Sequence, residues 1–206
     1  MKTLHIPFCK NLDFSPRTVA DINIYRWQDN NYTPRAQAEL CYNQKALAVR
    51  LSACETNPRA VIREDGGAVC TDSCLEFFVR PEPDPRYLNF EMNPLGKTLL
   101  AFGDHPDPGR VSLIEKYRRE IGVTPEKSAG QWGVTFQIPF SMLREIYGDI
   151  DFSRLRANFY KCGDHTASPH FGMWSEIKND LPLFHLPQYF GTLLLDRYGM
   201  EFETQL

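Results

Sequence analysis

The sequence predicts an all-β protein: a two-sheet antiparallel β-sandwich of immunoglobulin-like or jelly-roll-like form, with one short helix. Short segments in which apolar and polar residues alternate recur along the chain, which is typical of half-buried strands. Turn residues such as Glu64-Asp-Gly-Gly67 separate these segments. Clear helix signals are confined to residues 141–147, where Ser141 is a candidate N-cap and Gly148 a stop. The chain fits a single domain, residues 1–206, because a protein of this length can bury about 70% of its unfolded surface.

Each predicted strand depends on its own alternating pattern, with polar or glycine-rich connections on either side. Residues 111–123 are ambiguous, because their charges and length allow a helix while two short parts of them alternate; strands are preferred. Residues 162–186 form a long irregular segment. The predicted strands are residues 4–8, 20–27, 38–42, 45–52, 74–80, 87–93, 97–102, 132–138, 155–161 and 191–196.

The hairpin of residues 74–93 has one apolar face and one polar face. Its two strands flank Pro81-Glu-Pro-Asp-Pro85, a connection that cannot join a hydrogen-bonded ladder. The polar face carries Glu76 and Glu91 together with two asparagines, and it is rich in neither lysine nor serine and threonine. A plain solvated sheet rarely has such a composition, so we expect a polar, neutral ligand on this face.

A second strand adds polar groups of the same kind, because residues 155–161 present Arg156 and Asn158 on one face. If this strand neighbours the hairpin, these side chains form one patch with Glu76 and Glu91. Carboxylates, amides and a guanidinium can bracket sugar hydroxyls, which both donate and accept hydrogen bonds. A structural ion pair between Arg156 and either glutamate is the alternative. A hydrolase is another, since two carboxylates about 5 to 10 Å apart can cleave a glycosidic bond.

Trp174 is the aromatic residue most suited to contact a sugar. It lies in the irregular segment, close to Gly172, and a tryptophan in a loop can stack on the apolar face of a sugar ring. The same residue could instead close one end of the sandwich. Trp132 belongs to an apolar strand face and is predicted to be core.

The cysteines and histidines give only weak metal signals. The six cysteines are predicted to be reduced, because several lie in apolar strand patterns where a free thiol acts as a small hydrophobe. Cys70 and Cys74 have no second cysteine pair nearby. Cys162, Asp164, His165 and His170 form a loose cluster whose spacing is not a specific zinc pattern. Motifs for a nucleophile elbow, a phosphate-binding loop or a dinucleotide site are absent.

Charge and hydropathy exclude some partners. The formal net charge is −3, and a lysine or arginine run is lacking, so nucleic acid is not expected as a partner. Apolar runs are far shorter than the ~20 residues of a membrane span, so no membrane is expected. The N-terminus, MKTLHIPFCK, has no apolar stretch typical of a signal peptide. A cytoplasmic location is therefore predicted over secretion.

Six segments, in this order, carry a family resemblance across about residues 20–195. The chain resembles the carbohydrate-binding module family 9-like group, which are DOMON-like β-sandwiches. The segments are Thr71-Asp-Ser-Cys-Leu-Glu-Phe-Phe78, Tyr87-Leu-Asn-Phe-Glu-Met-Asn-Pro-Leu-Gly96, Trp132-Gly-Val-Thr-Phe-Gln-Ile-Pro139, Arg156-Ala-Asn-Phe-Tyr160, Trp174-Ser175 and Phe184-His-Leu-Pro-Gln-Tyr-Phe-Gly191.

The resemblance implies non-catalytic binding of a mono- or oligosaccharide, such as the chain ends of plant-type glucan or xylan, in bacterial carbohydrate catabolism. In the founding members two tryptophan rings sandwich a sugar above polar side chains. The resemblance places one ring near Cys70, where this chain has none, and the other at Trp174. It also implies Glu76 as the strand glutamate and Lys97 as the basic residue after the Asn-Pro-x-Gly turn. No cofactor is required, and a structural calcium occurs in the family, although its ligands cannot be assigned here.

The resulting prediction is a sugar site in which Trp174 stacks and polar side chains bind the hydroxyls. The wider DOMON group includes haem-binding domains, for which Met92 would be the inward axial ligand, but no inward histidine is predicted to partner it. The predicted ligand-binding residues are Trp174, Glu76, Lys97, Arg156, Asn158 and Glu91.

Overall fold

A computed structural model of the chain describes residues 2–104 and 109–196. The strands are β1 (Thr3–Ile6), β2 (Thr18–Ile22), β3 (Ile24–Tyr25), β4 (Ala36–Tyr42), β5 (Ala46–Ala53), β6 (Cys74–Pro81), β7 (Tyr87–Met92), β8 (Thr98–Gly103), β9 (Val111–Ser112), β10 (Thr124–Ser128), β11 (Gln131–Pro139), β12 (Arg154–Cys162), β13 (Phe171–Met173) and β14 (Gly191–Leu195). The helices are α1 (Ile114–Ile121) and α2 (Phe140–Tyr147), and short 3₁₀ turns span Val69–Thr71 and Pro187–Tyr189.

The strands form two sheets, which confirms the predicted β-sandwich. The first sheet has the order β1-β14-β12-β6-β7-β8-β9, with β13 beside β12 and β3 beside β13. The second has the order β10-β11-β5-β4-β2. Neighbouring strands run antiparallel apart from β1 and β14, which pair in parallel. The hairpin β6–β7 lies in the middle of the first sheet, directly beside β12, as the polar-patch prediction requires.

The core lies between the two sheets and is rich in phenylalanine. Phe77 of β6 stacks on Phe159 of β12 with ring centroids 4.8 Å apart. Phe90 of β7 stacks on Phe136 of the second sheet at 5.4 Å. These four rings are at most 1% exposed, and a fully buried phenylalanine stabilises a fold by roughly 1.5–3 kcal/mol. The inward apolar faces predicted for the hairpin are therefore confirmed.

Two helices are present where one was predicted. The helix α2 is confirmed, although it begins at Phe140 with Pro139 in the N-cap position, and Ser141 lies inside it. The preference for strands at residues 111–123 is wrong over most of its length, because α1 occupies Ile114–Ile121.

The helix α1 forms because its apolar residues follow a helical period. Ile114, Tyr117 and Ile121 are buried on one face, while the charged residues between them point to solvent. Gly122 ends the helix in the left-handed conformation with φ of 57°, which glycine adopts without steric cost. A search for alternating apolar residues misses this stripe, because its members are three or four residues apart.

The outer face of the first sheet is covered rather than solvated. Phe78 and Tyr160 project outward and are fully buried in a second apolar cluster, together with Met173 and Ile177 of the irregular segment and with Phe190, which follows it. As a result, every residue of β7 is buried, and so is nearly all of β6. This second layer creates the surroundings of the candidate site described below.

A group of charged side chains is buried where the two sheets meet. Lys161 of β12 is fully buried, and its Nζ lies 3.2 Å from Glu55 Oε2. Glu55 also accepts hydrogen bonds from Trp132 Nε1 at 2.7 Å and from Ser73 Oγ at 3.2 Å. His170 Nε2 lies 2.6 Å from Lys161 Nζ. This network joins the second sheet, through Trp132, to the first.

His170 is held in its neutral form by this network. Its Nδ1 lies 2.8 Å from the carbonyl oxygen of Ser168, which can only accept, while the Lys161 ammonium can only donate. A neutral ring with its proton on Nδ1 satisfies both neighbours. Burial, followed by the charge of Lys161, lowers the pKa of His170 to about 4.

We expect the stability of the protein to fall as the pH drops from about 6.5, the ordinary pKa of histidine, toward 4. In this interval the unfolded chain protonates His170 and the folded chain does not, so stability rises with pH. The groups that face the ring are Lys161, Glu55 and the ring of Tyr32, 5.1 Å away. Urea unfolding at pH 7 and at pH 4.5 measures the free energy of unfolding of wild type and of His170→Gln. Between the two pH values, the variant should lose about 2 to 3 kcal/mol less of this free energy than wild type. Equal losses in the two proteins would contradict this assignment.

Candidate ligand-binding site

A pocket of about 180 Å³ opens on the outer face of the first sheet. Its floor is formed by the central strands: Glu76 comes from β6, Glu91 from β7 and Cys162 from β12. The turn before β6 contributes Cys70, and the irregular segment contributes the remaining wall. The lining residues are Cys70, Glu76, Glu91, Cys162, Asp164, Phe171, Pro182, Leu183, Phe184 and His185.

Two carboxylates stand side by side on the floor of the pocket. Glu76 and Glu91 are direct partners across the β6–β7 ladder, so their Cβ atoms are about 4.5–5.5 Å apart. Glu76 is 3% exposed and Glu91 is 6% exposed. Glu91 accepts a hydrogen bond from Asn89 Nδ2 at 2.8 Å, and Asn89 Oδ1 accepts one from Arg110 Nε at 3.1 Å. The amide therefore links Glu91 to a fixed positive charge.

Glu76 has a different environment. Its hydrogen-bond partner is the thiol of Cys162, whose Sγ lies 3.0 Å from Glu76 Oε1. Burial, followed by the neighbouring charge of Glu91, raises the pKa of Glu76 well above its ordinary value. Burying two adjacent carboxyl groups disfavours the form in which both are charged. A pair that shares one proton offers an O–H donor as well as acceptor oxygens to a ligand.

Aromatic side chains form the opposite wall of the pocket. Phe184 stacks on Tyr160 with ring centroids 4.1 Å apart and an interplanar angle of 11°. Tyr160 Oη donates to the backbone oxygen of Phe184 at 3.1 Å, which fixes the loop above the sheet. Phe171 lies 6.4 Å from Phe184, with its ring nearly perpendicular. Both phenylalanines are half-buried and leave apolar surface in the pocket.

Backbone hydrogen bonds hold the remaining walls together. The N–H of Asp164 donates to the carbonyl of Cys70 at 3.2 Å, and the N–H of His165 donates to the carbonyl of Thr71 at 3.2 Å. His185 Nδ1 lies 2.7 Å from Tyr87 Oη. The loops around the pocket are thus anchored to the strands and to each other.

The structure corrects the prediction for Trp174. Its side chain is 3% exposed and belongs to the main core, with its ring 5.5 Å from that of Phe159. It packs so closely against Gly191 that a Cβ atom there would lie 2.3 Å from the ring. A ring this deeply buried leaves no face open to a ligand, whereas Phe171 and Phe184 are half-buried and line the pocket.

Of the other five predicted residues, the structure brings Glu76 and Glu91 together in the pocket and places three elsewhere. Asn158 is fully buried and binds the backbone of Ser175 in both directions, at 2.8 and 2.9 Å. Arg156 donates to the carbonyl of Phe190 and to Thr192 Oγ1. Lys97 follows the turn before β8 and does not line the pocket. Asn158 thus anchors the irregular segment, and Arg156 anchors the chain at residues 190–192.

The sequence did not single out several pocket residues. Phe184 and its neighbours were quoted only for the family resemblance, because the search for a platform favoured tryptophan. Phe171 lies in the irregular segment, where periodicity gives no information, and Asp164 was named only as a member of the loose metal cluster. Cys70 does line the pocket, at the place where the resemblance implied a ring that this chain lacks.

One group of three possible metal ligands converges in the part of the chain that the structure describes. The ligand atoms of Cys74, Glu76 and Cys162 lie within 4.8 Å of one another, and all three residues are buried. Calcium prefers oxygen ligands alone, so this thiol-rich set does not fit the family's structural calcium. The looser cluster suggested by the sequence is split, because His170 points into the network with Lys161. All six cysteines are free thiols.

Met92 gives no support to the haem alternative. It is fully buried in the apolar core and does not line the candidate pocket. Within residues 2–104 and 109–196, neither helix has the length or the apolar character needed to cross a membrane.

Comparison with known families decides the relationship of this chain. The sequence pattern of carbohydrate-binding family 9 matches residues 8–195. The chain belongs to carbohydrate-binding family 9. This confirms the resemblance drawn from the ordered segments. None of the curated proteins compared with the chain matches it.

Solved structures share the fold of this family 9 chain. A protein from Bacteroides uniformis to which carbohydrate binding is attributed is 28% identical, with a TM-score of 0.82 over 95% of this chain and 99% of that one. A family 9 module from Caldicellulosiruptor kristjanssonii in complex with cellotriose is 10% identical, with a TM-score of 0.64 and coverage of 100% and 98%. A family 9 module from the same organism in complex with glucose is 12% identical, with a TM-score of 0.63 over 95% of this chain and 96% of that one. At these identities the two complexes show a shared fold alone.

Proposed function

We propose that the chain is a non-catalytic carbohydrate-binding module that holds one sugar residue in the pocket over Glu76 and Glu91. The observation that carries the proposal is the pair of carboxyl groups opposite the half-buried rings of Phe171 and Phe184. The volume of about 180 Å³ is below the roughly 300–1,000 Å³ typical of pockets for larger ligands. The pocket therefore suits a single ring or the end of a chain better than the middle of one.

The chemistry of the pocket favours neutral sugars. Sugar hydroxyls donate to a carboxylate and accept from a protonated carboxyl, and the glutamate pair offers both. The apolar face of the sugar packs on a phenylalanine ring, as aromatic side chains do in other amphipathic contacts. Lysine and arginine are missing from the lining residues, whereas Asp164 adds a third acidic group. Uronic acids would be repelled, so glucose-, xylose- and galactose-type sugars are the expected class.

The arrangement of the carboxyl groups supports binding over catalysis. A glycoside hydrolase places its two carboxyl groups on either side of the scissile bond. Here Glu76 and Glu91 stand next to each other on one floor, and both face the pocket from the same side. The hydrolase alternative is therefore the weaker one. The cytoplasmic location and the role in bacterial carbohydrate catabolism stay predictions.

Isothermal titration calorimetry with glucose, xylose, galactose, cellobiose, xylobiose and glucuronic acid tests this proposal. At least one neutral sugar is expected to bind. Glu76→Ala and Phe184→Ala should each weaken its binding by about 10- to 100-fold, which corresponds to one lost charged hydrogen bond or one lost aromatic contact. Glucuronic acid should bind more weakly than glucose.

Two matched variants serve as controls for these losses. Glu120→Gln alters an exposed glutamate on α1, and Phe102→Ala removes a half-buried phenylalanine distant from the pocket lining. Both should bind the sugar like wild type. Heat signals that are equally strong in Glu76→Ala, or the absence of binding for every sugar in the panel, would overturn the proposal. The titrations are run with a chelator present, so that metal ions play no part in the outcome.

A further inference from the structure

Two thiols and one carboxyl group converge beneath the pocket. Cys74 and Cys162 are direct partners across the β6–β12 ladder, and Glu76 lies two residues beyond Cys74 on the same face of β6. Their ligand atoms lie within 4.8 Å of one another. The ligand atoms around a tetrahedral zinc ion are about 3.3–3.8 Å apart, as bond lengths of about 2.0–2.3 Å require. The separations in this cluster are comparable to those of a zinc site.

The pocket above the three groups carries two further carboxyl groups, which favour a cation. Cys70, Glu91 and Asp164 line the same pocket, and its lining contains neither lysine nor arginine. Glu76 is only 3% exposed, and its hydrogen-bond partner is a weakly donating thiol. A buried carboxyl group is normally paired with a positive charge or coordinated to a metal. The floor of this pocket supplies the ligands for the second arrangement.

We propose that Cys74, Cys162 and Glu76 bind one thiophilic divalent cation of the Zn²⁺ class, with a fourth coordination position open toward the pocket. Thiolate ligands select zinc over calcium and magnesium, which prefer oxygen. Three protein ligands and one open position are typical of zinc sites that bind an exogenous ligand. Cys70, Glu91 and Asp164 line the pocket toward which this position opens, so one of them, or a water molecule, can be the fourth ligand.

Cation binding stands independently of sugar binding, although the two sites share Glu76. Metal coordination releases the protons of the two thiols, so the complex forms more tightly as the pH rises. A bound cation also places a positive charge where sugar hydroxyls are proposed to bind. An effect of the cation on sugar affinity would rest on the proposed function, whereas the cation site itself does not.

Zinc titration of the chelator-treated, reduced protein tests the cation site in the absence of sugar. We expect one Zn²⁺ per chain by calorimetry, and with Co²⁺ a thiolate-to-metal charge-transfer band in the near ultraviolet. Ca²⁺ should give no binding signal. Cys162→Ser and Cys74→Ser should each weaken zinc binding by about 100-fold or more, since even outer partners of a metal ligand are worth about 10- to 100-fold. Cys54→Ser, which changes an exposed thiol outside the pocket, should bind zinc like wild type.

A third ligand variant guards against loss of folding in the cysteine variants. Glu76→Gln keeps the size of the side chain and removes its charge, and it should weaken zinc binding by about tenfold or more. Circular dichroism establishes that each variant is folded before its titration. The proposal is overturned if wild type binds no stoichiometric zinc, or if the double variant Cys74→Ser/Cys162→Ser binds it as tightly as wild type.

Discussion

Replacing Trp174 by alanine is expected to lower the free energy of unfolding by about 3–5 kcal/mol, the usual cost of removing a large buried aromatic side chain. The ring is 3% exposed and fills the space between Phe159 and Gly191. Its removal leaves a cavity that the backbone of β14 cannot easily close. Urea unfolding followed by far-ultraviolet circular dichroism measures the change.

The contact between Trp174 and Gly191 supplies a second, independent check. Gly191→Ala should destabilise the protein on its own, because the new Cβ would lie 2.3 Å from a ring atom. In the double variant the ring is absent, so the cost of the added methyl group should largely disappear. At temperatures where Trp174→Ala stays folded, its sugar affinity should match wild type. Loss of sugar binding without loss of stability would restore Trp174 as a binding residue.

The second large effect is expected at Lys161. Lys161→Met should lower the free energy of unfolding by about 3–5 kcal/mol, because it leaves the carboxylate of Glu55 buried without its cation. Trp132 Nε1 and Ser73 Oγ still donate to Glu55, but two neutral donors do not replace an ammonium group. Denaturant unfolding at pH 7 is the measurement.

A double variant distinguishes the ion pair from simple loss of packing. Glu55→Gln removes the negative charge while keeping the hydrogen-bonding shape of the side chain. Lys161→Met/Glu55→Gln should therefore be more stable than Lys161→Met alone, with a coupling energy of about 1–3 kcal/mol. Strictly additive losses would mean that the two side chains do not depend on each other's charge.

Alternation along the sequence was enough to predict the strands that carry the site. In β6 and β7 the inward residues are uniformly apolar, so their register follows from the residue types alone. Glu76 and Glu91 could be identified for the same reason, because a polar residue in an alternating strand must face outward. In the fold, the confirmed strand predictions are those that depend on local periodicity.

Features that depend on long-range packing could not be predicted. Phe78 and Tyr160 lie on the outward faces of their strands, and a segment far along the chain covers them. The same segment carries both Trp174 and Phe184, and no local pattern tells which ring turns inward. Trp174 is buried because Gly191 leaves room for it, a fact that becomes visible only when β14 lies beside β12. Asn158 likewise binds the backbone of Ser175, a contact that no local pattern predicts.

The double covering of β6, β7 and β12 has a consequence for how sugar preference could change in evolution. These strands hold the glutamates between two packed apolar layers, so substitutions near the floor would disturb both layers at once. The walls come from loops at residues 163–171 and 181–185, which are anchored mainly through backbone atoms and tolerate new side chains. Relatives that prefer another sugar are therefore expected to share the residues of the floor and to differ in the sequences of the loops.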